Sequence, residues 1–303
     1  MARTARTVNT EMPNLFIIGA AKCGTTSLHY YLDLHPEISM SRIKEPKYFL
    51  GPIPSSPRGP RVTSREAYLD LFEPGVPVRG EASVAYSVSP CFRGVAERIA
   101  NEIPDARVVY MVRDPVERIV SGTRARVANG HLPPPDRTDT GAFWSGVLGD
   151  LDPGTNDIIA RSLYMSQIRE YLEHFPAESI MVIDHRDLLD DRIPTLERVF
   201  DFLGVDARFR HPRFEVERNS GSTVATGGLN RRLRTSGTAR KASMLLPEPV
   251  RKRAIGTARR FTGRRIEIPE MPQELRGRLI ALFGPEVEDL REFTGQKFDG
   301  WSV

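Results

Sequence analysis

Leu15-Phe-Ile-Ile-Gly19-Ala-Ala-Lys22-Cys-Gly24-Thr25-Thr26-Ser27-Leu28 decides how this chain folds. Leu15 to Ile18 is an apolar run of strand composition. Gly19 breaks it, a loop of small residues carries Lys22, and Thr25, Thr26 and Ser27 open a helix. Strand, loop and helix N-terminus in that order form a cradle for an anion. Glycines let backbone N–H groups turn toward one point, and the helix dipole favours negative charge there. Lys22, Cys23, Gly24, Thr25, Thr26 and Ser27 are therefore the first candidate ligand-binding residues. The plain alternative is a tight glycine turn with no ligand. A lysine and three hydroxyls within residues 22–27 weigh against it.

The order of these residues excludes the commonest phosphate loop. A nucleotide triphosphatase loop reads G-x-x-x-x-G-K-[ST], with lysine after the second glycine. Here Gly19 and Gly24 keep that spacing, but the lysine lies between them and Thr25 follows Gly24. The loop is expected to hold a phosphate without the usual lysine and Mg²⁺ geometry.

The chain has 303 residues, 40% of them apolar, enough for one large α/β domain. Its 43 basic and 39 acidic residues give a net charge of +4, spread along the chain. That suits an anionic ligand without calling for nucleic acid. With only Cys23 and Cys91, no disulfide framework is implied. No run approaches the roughly 18 apolar residues of a membrane span. Residues 1–12 lack the apolar core of a secretory signal and read as a flexible N-terminal tail. The expected location is cytoplasmic.

Further along, strands and helices alternate. After Leu15–Ile18, the pattern predicts a helix over Thr25–Leu34, ended by Pro36. A proline-rich surface loop over 51–64 and a short helix over Glu66–Phe72 follow. A strand over Val76–Arg79 leads into Gly80-Glu81-Ala82-Ser83, then a helix over Phe92–Glu102 and a buried strand over Arg107–Val112. A loop over Gly130–Thr140, a helix over Leu163–His174, a strand over Ile180–Ile183 and a helix over Ile193–Leu203, closed by Gly204, complete the alternation. The fold class is α/β: a P-loop-like parallel sheet with helices on both faces, in a single domain with a helical C-terminal part. Residues 215–240 read as a mobile polar loop beside the ligand. Residues 247–265 read as a basic helical stretch and Pro272–Phe293 as a last amphipathic helix, so 247–303 forms that C-terminal part.

Arg113-Asp114-Pro115-Val-Glu-Arg118-Ile-Val-Ser121 begins where the strand over Arg107–Val112 ends. Ligands of open α/β sheets bind at the carboxyl ends of strands. An arginine fork there, with a hydroxyl eight residues on, suits a phosphate monoester. A triphosphatase would put an aspartate at such a strand end to hold Mg²⁺. The plain alternative pairs Arg113 with Asp114, Glu117 or another carboxylate.

Together the two sites strongly resemble the sulfotransferases that use PAPS (3′-phosphoadenosine 5′-phosphosulfate). In that family a K-x-G-T-T loop grips the 5′-phosphosulfate, matching Lys22 to Thr26, and an R-D-P-x-x-R-x-x-S run grips the 3′-phosphate through residues matching Arg113 and Ser121. The resemblance continues through Gly80-Glu81-Ala82-Ser83 and the tail pattern from Pro272 and Arg276 to Trp301, so it implies a sulfotransferase domain over 13–303. Lys44-Glu45-Pro46-Lys47-Tyr48-Phe49 is similar to the K-E-x-x-[FY]-F segment of the carbohydrate (heparan sulfate) branch and its bacterial relatives.

The resemblance implies the following assignments. Glu45 is the catalytic base, and Lys22 stabilises the leaving phosphate. Gly263, Arg264 and Arg265 fall where relatives carry a loop over the nucleotide. Lys47, Glu81, Ser83 and Tyr86 are candidates for the acceptor side; Glu81 is also the competing base, but a structural hydrogen bond in a strand-end turn suits it better. PAPS is the donor, PAP the product, and no metal is required. Cys23 is better read as a small packing residue than as a reactive thiol. Glu45 paired with Lys44, Lys47 or Arg42 is the plain alternative to its role as base. The chain departs from the heparan-type pattern at Ala82, where that branch has lysine. It departs again at Gly122-Thr123-Arg124-Ala125, where an aromatic and a histidine are usual. Both departures fall on the acceptor side, so the acceptor is left open among small molecules, lipids and carbohydrates. Two rival classes are a nucleotide kinase and a non-catalytic anion- or nucleic-acid-binding module.

Overall fold

Central strands of a parallel sheet are covered on both faces, so they must be apolar throughout. The computed structural model puts the two most apolar runs of the chain in that position. It describes residues 11–51, 61–89, 91–135, 139–216, 223–225, 263–265 and 267–303. β1 (Leu15–Gly19) is wholly buried, and β4 (Arg107–Val112) is buried after Arg107. β2 (Ile38–Met40), β3 (Val78–Ala82) and β5 (Ile180–Asp184) complete a sheet of order β2-β3-β1-β4-β5. All four pairings are parallel, and Leu15 sits level with Gly80 on one side and Arg107 on the other. The chain leaves β1 for β2 and β3 on one side, then crosses to β4 and β5 on the other. Connections therefore diverge at the carboxyl end of β1, where open sheets of this kind form their ligand crevice.

The helices among the described residues are α1 (Thr25–Leu32), α2 (Arg65–Leu69), α3 (Val95–Glu102), α4 (Pro115–Ala128), α5 (Thr140–Leu148), α6 (Asp157–Ala160), α7 (Tyr164–Leu172), α8 (His185–Asp190), α9 (Arg192–Leu203) and α10 (Gln273–Thr294). Local chemistry sets their ends. Gly94, at φ +69°, starts α3 later than the periodicity from Phe92 suggests. Ser64 caps α2 by accepting from the Ala67 N–H at 3.2 Å. Gly204 and Gly295 close α9 and α10 in the left-handed region. β3 runs on through Gly80, Glu81 and Ala82, expected as a turn, because all three pair with β1. β2 is too short to show a period, and α5 lacks one.

Two expectations for the polar segments are corrected. Thr223–Ala225, expected within a mobile loop, forms strand β6. It pairs antiparallel with β7 (Gly263–Arg265), expected as the end of a helical stretch. Antiparallel pairing gives both segments extended backbone. The rest of 226–262 lies outside the described residues. Among the described residues no helix is long and apolar enough to cross a membrane.

Contacts gather the chain into two compact units. Residues 1–119, 148–218 and 272–303 make the first, which holds the five-stranded sheet; residues 120–147 and 219–271 make the second. The second contains the β6–β7 pair and Trp144, whose indole N–H donates to the carbonyls of Pro269 and Glu270 at 3.2 Å each.

The break in β1 depends on having no side chain at Gly19. A Cβ there would meet Ser87 Oγ and lie 2.7 Å from the Tyr110 ring. Both neighbours are buried, so neither can give way freely. Gly19→Ala is expected to cost about 1–3 kcal/mol, as overpacking does, read as a lowered denaturant midpoint. An unchanged midpoint would contradict this packing.

Candidate active site

The loop after β1 is built as an anion cradle. Its first residue, Ala20, donates its N–H to the carbonyl of Met111 at 2.6 Å, tying the loop to β4. Lys22 and Gly24 both take positive φ, +78° and +91°. Gly24 is the N-cap of α1, yet no side chain caps this helix and its first turn holds no acidic residue. The helix therefore opens toward the loop without an internal anion to offset its positive end. Thr25 is buried and Thr26 exposed. Cys23 faces the core, and burial pushes its thiol up to about 12. It is a packing residue, and only its backbone can serve a ligand.

Arg113 follows the tip of β4, the neighbour of β1 in the sheet. The Tyr164 hydroxyl donates to the Arg113 carbonyl at 2.7 Å and lies 4.0 Å from Cys23 Sγ. One buried tyrosine thus joins the cradle to the strand tip. Asp114, 4% exposed, accepts from the Glu117 N–H at 2.9 Å as the cap of α4, and its other oxygen accepts from the Ser302 N–H. Its carboxylate is thus engaged by backbone donors. Trp301 donates to Asp184 at the end of β5 at 2.9 Å, so consecutive tail residues hold the aspartates at two strand ends.

Arg113 does contact Glu117, at a long 3.5 Å, and Glu117 also meets Arg276 at 3.3 Å. Half-exposed pairs of this length are worth about 1 kcal/mol at most. The pairing alternative is therefore present but weak. Arg276 lies beside this arginine through its share of Glu117, although the sequence offered it only as part of a tail pattern. His185, unremarked in the sequence, begins α8 directly after β5. Its ring lies 3.1 Å from where a Cβ on Gly24 would stand. Burial, and then the nearby Arg113 charge, lower its pKa to about 4. The Arg113 charge is therefore felt at a residue packed on the cradle. Ser121 lies on α4, and Gly263, Arg264 and Arg265 form β7; all four belong to the second unit.

The segment after β2 reaches the same end of the sheet. Glu45 donates its N–H to the Ala82 carbonyl at 3.0 Å, and Lys47 donates its N–H to Ser83 Oγ at 3.2 Å. Both residues take left-handed backbone, at φ +61° and +58°. Such conformations cost about 1 kcal/mol or more each outside glycine and cluster at functional sites. The Glu45 carboxylate sits between Lys44 Nζ at 3.3 Å and Lys47 Nζ at 3.4 Å, with its side chain 31% exposed. Behind it, Glu81 is fully buried and accepts from the hydroxyls of Tyr68 (2.5 Å), Ser83 (2.6 Å) and Tyr86 (2.7 Å). The Tyr86 oxygen in turn accepts from the Phe49 N–H at 3.0 Å. Glu81, Ser83 and Tyr86, expected on the acceptor side, are thus buried and bonded to one another. Their burial corrects the expectation of direct contact, because they brace segment 45–49 from behind. Lys47 is buried as well, at 6% exposure, with its ammonium on the Glu45 carboxylate.

Residues 65–209 match the model described as Sulfotransferase family. Over that stretch, a little under half of its length, the chain is similar to the sulfotransferase family. It is 23% identical over 216 residues to the bifunctional heparan sulfate N-deacetylase/N-sulfotransferase 2 of Bos taurus, covering 67% of this chain and 23% of that protein. It is 25% identical over 218 residues to the heparan sulfate glucosamine 3-O-sulfotransferase 3A1 of Mus musculus, covering 70% of this chain and 50% of that protein. The chain thus matches a quarter to a half of the length of these curated relatives. The crystal structure of a sulfotransferase from Alicyclobacillus acidocaldarius superposes with a TM-score of 0.66 at 26% identity, covering 97% of this chain and 100% of that one. The family match begins beyond Lys22 and Glu45, so the roles of those residues rest on the sulfotransferase-like motifs and geometry around them.

Glu81 gives this corner a pH dependence. Burial raises its carboxyl to about 7 against the pull of its three hydroxyl donors. A carboxyl raised on folding contributes stability that is complete below the unfolded value near 4.5 and is lost as pH rises to about 7. Glu81→Gln removes that slope. Its unfolding free energy should gain on the wild type by on the order of a few kcal/mol between pH 4.5 and 7. Parallel pH profiles of the two proteins would contradict the burial-dominated account.

Proposed function

We propose that this chain is a sulfotransferase that moves the sulfuryl group of PAPS to a hydroxyl or amine of a carbohydrate-like or small-molecule acceptor. The observation that carries the reading is the uncapped start of α1, with Lys22 in its loop, joined through Tyr164 to the strand tip that bears Arg113. A donor with phosphates at both its 5′ and 3′ positions matches two cationic points held at one sheet edge. PAPS supplies the sulfuryl group and a phosphate leaving group.

The chain's own residues do the rest by position and charge. Lys22 and the N–H groups of residues 24–26 hold the 5′-phosphate and take up the charge that builds on its bridging oxygen. Arg113 holds the 3′-phosphate. The weak Glu117 contact leaves the guanidinium able to exchange a half-exposed carboxylate for a phosphate dianion, which accepts a bidentate fork. Glu45 takes the proton of the acceptor as its oxygen or nitrogen attacks. The strained backbone at Glu45 and Lys47, braced by the Glu81 network, fixes the direction of that carboxylate. The heparan sulfate relatives favour a sugar hydroxyl or amine as acceptor.

Lys22→Ala and Arg113→Ala should each weaken PAP binding about 10–100-fold, the worth of a charged hydrogen bond, measured by titration calorimetry. Glu45→Gln should keep PAP affinity and lose about 10²–10⁴ in turnover, measured with labelled PAPS and a panel of oligosaccharide, phenol and lipid-alcohol acceptors. Normal turnover by Glu45→Gln would remove the base assignment. Binding of ATP with Mg²⁺ in preference to PAP would replace this reading with a nucleotide kinase. PAP binding without transfer to any acceptor would leave a non-catalytic binding protein.

A further inference from the structure

One carboxylate serves two arginines at the tip of β4. Glu117 Oε2 lies 3.5 Å from Arg113 Nη2, and its Oε1 lies 3.3 Å from Arg276 Nη2. Among the described residues no other carboxylate pairs with either arginine. All three residues belong to the first compact unit. Two cations therefore share a single negative charge. Both contacts are longer than the roughly 2.7–2.9 Å of a charge-assisted hydrogen bond. Each arginine meets the acid through one nitrogen, although its fork can offer two. The acid is also the most exposed of the three side chains, at 40% against 26% for Arg113 and 29% for Arg276. It is the member most easily replaced.

The helix ends point the same way. Arg276 stands in the first turn of α10, its N–H on the carbonyl of the cap residue Pro272 at 2.9 Å. A helix dipole disfavours a cation there unless an anion answers it. Glu117 lies in the first turn of α4, and Asp114 caps that helix by accepting the Glu117 N–H at 2.9 Å. That is half of a capping box, in which the glutamate reaches back to the N–H of the cap residue. Glu117 turns to the arginines instead, so its carboxylate has a second seat on its own helix once another anion takes its place.

We propose that Glu117 is a stand-in for the 3′-phosphate of the donor, and that Arg276 is a second ligand of that phosphate beside Arg113. This rests on the donor reading above. A phosphate monoester brings up to two negative charges and three strong acceptor oxygens, so it can meet both forks and neutralise both cations, which one carboxylate cannot. In the empty site Glu117 offsets the repulsion between the two guanidiniums, and each donor molecule that binds displaces it. The alternative is an ion-pair network that only docks α10 on α4. The two roles give opposite signs when the Glu117 charge is removed. A docking network leaves nucleotide binding unchanged or weaker, whereas removal of a stand-in makes it tighter.

The test is calorimetric titration of wild type, Glu117→Gln, Arg276→Ala and Arg276→Lys with PAP and with adenosine 5′-phosphate, which lacks the 3′-phosphate. Glu117→Gln should lower the Kd for PAP about threefold or more and leave that for adenosine 5′-phosphate within about twofold. Arg276→Ala should raise the Kd for PAP about tenfold, again with adenosine 5′-phosphate little changed. Arg276→Lys, which keeps the charge without the fork, should fall between Arg276→Ala and wild type. Unchanged or weaker PAP binding in Glu117→Gln, or equal loss of both nucleotides in Arg276→Ala, would overturn the proposal. If Arg276→Ala does not fold, Glu117→Gln and Arg276→Lys decide by the same signs. A wild type that fails to bind PAP sinks the donor reading instead, and inorganic phosphate is then the probe. Tighter phosphate binding in Glu117→Gln with weaker binding in Arg276→Ala upholds the exchange of anions, and equal binding by all the proteins overturns it.

Discussion

The Tyr164 hydroxyl is the joint on which the site depends. It donates to the carbonyl of Arg113 and touches the sulfur of Cys23, so the strand tip that carries one cation and the loop that carries the other share one buried atom. An anion cradle and a strand-end arginine each occur in many α/β proteins. What makes them a single site is a rigid link that fixes their separation. Side chains in a close-packed interior cannot slide independently, and Tyr164 packs edge-on to both Tyr110 and Trp301. The tail residue Trp301 then reaches Asp184 and its neighbour Ser302 reaches Asp114, which holds the acids at the ends of β5 and β4 in place.

The other corner is organised by a carboxylate that is not the proposed base. Glu81, fully buried, gathers three hydroxyls, and the segment with Glu45 and Lys47 hangs from that cluster through Ser83 and Tyr86. A buried acid raised to about 7 is an expensive scaffold. Its use is directional: two non-glycine residues are held in left-handed backbone, which orients the Glu45 carboxylate at the sheet edge. Like charges also divide the labour. Glu81 is enclosed and braces, while Glu45 is partly exposed between two ammonium groups.

The parallel sheet and the cradle were legible because each is written locally. Leu15–Gly19 and Arg107–Val112 are apolar runs with no competing period, and Gly24 before three hydroxyl residues has few other meanings. Helix ends slipped where one glycine or serine overrode periodicity, as Gly94 did for α3. β2 was hidden because three residues cannot show alternation. The larger misses were long-range. Nothing near Tyr164 or His185 in sequence says that they meet the cradle, because the sheet order that brings them there emerges only from packing. For Glu81, residue type allowed either substrate contact or structural support, and burial decided. The basic stretch before Arg265 read as helical, yet its last three residues pair as a strand with Thr223–Ala225, a partner that no local pattern could name.

The most direct test of the central claim compares PAP with adenosine 5′-phosphate, which lacks the 3′-phosphate, on wild type and on Arg113→Ala. If the two anion points grip opposite ends of one nucleotide, the 3′-phosphate improves wild-type affinity by about tenfold or more, and most of that preference disappears in Arg113→Ala while adenosine 5′-phosphate binding is kept. A preference for PAP of the same size in both proteins would contradict the account.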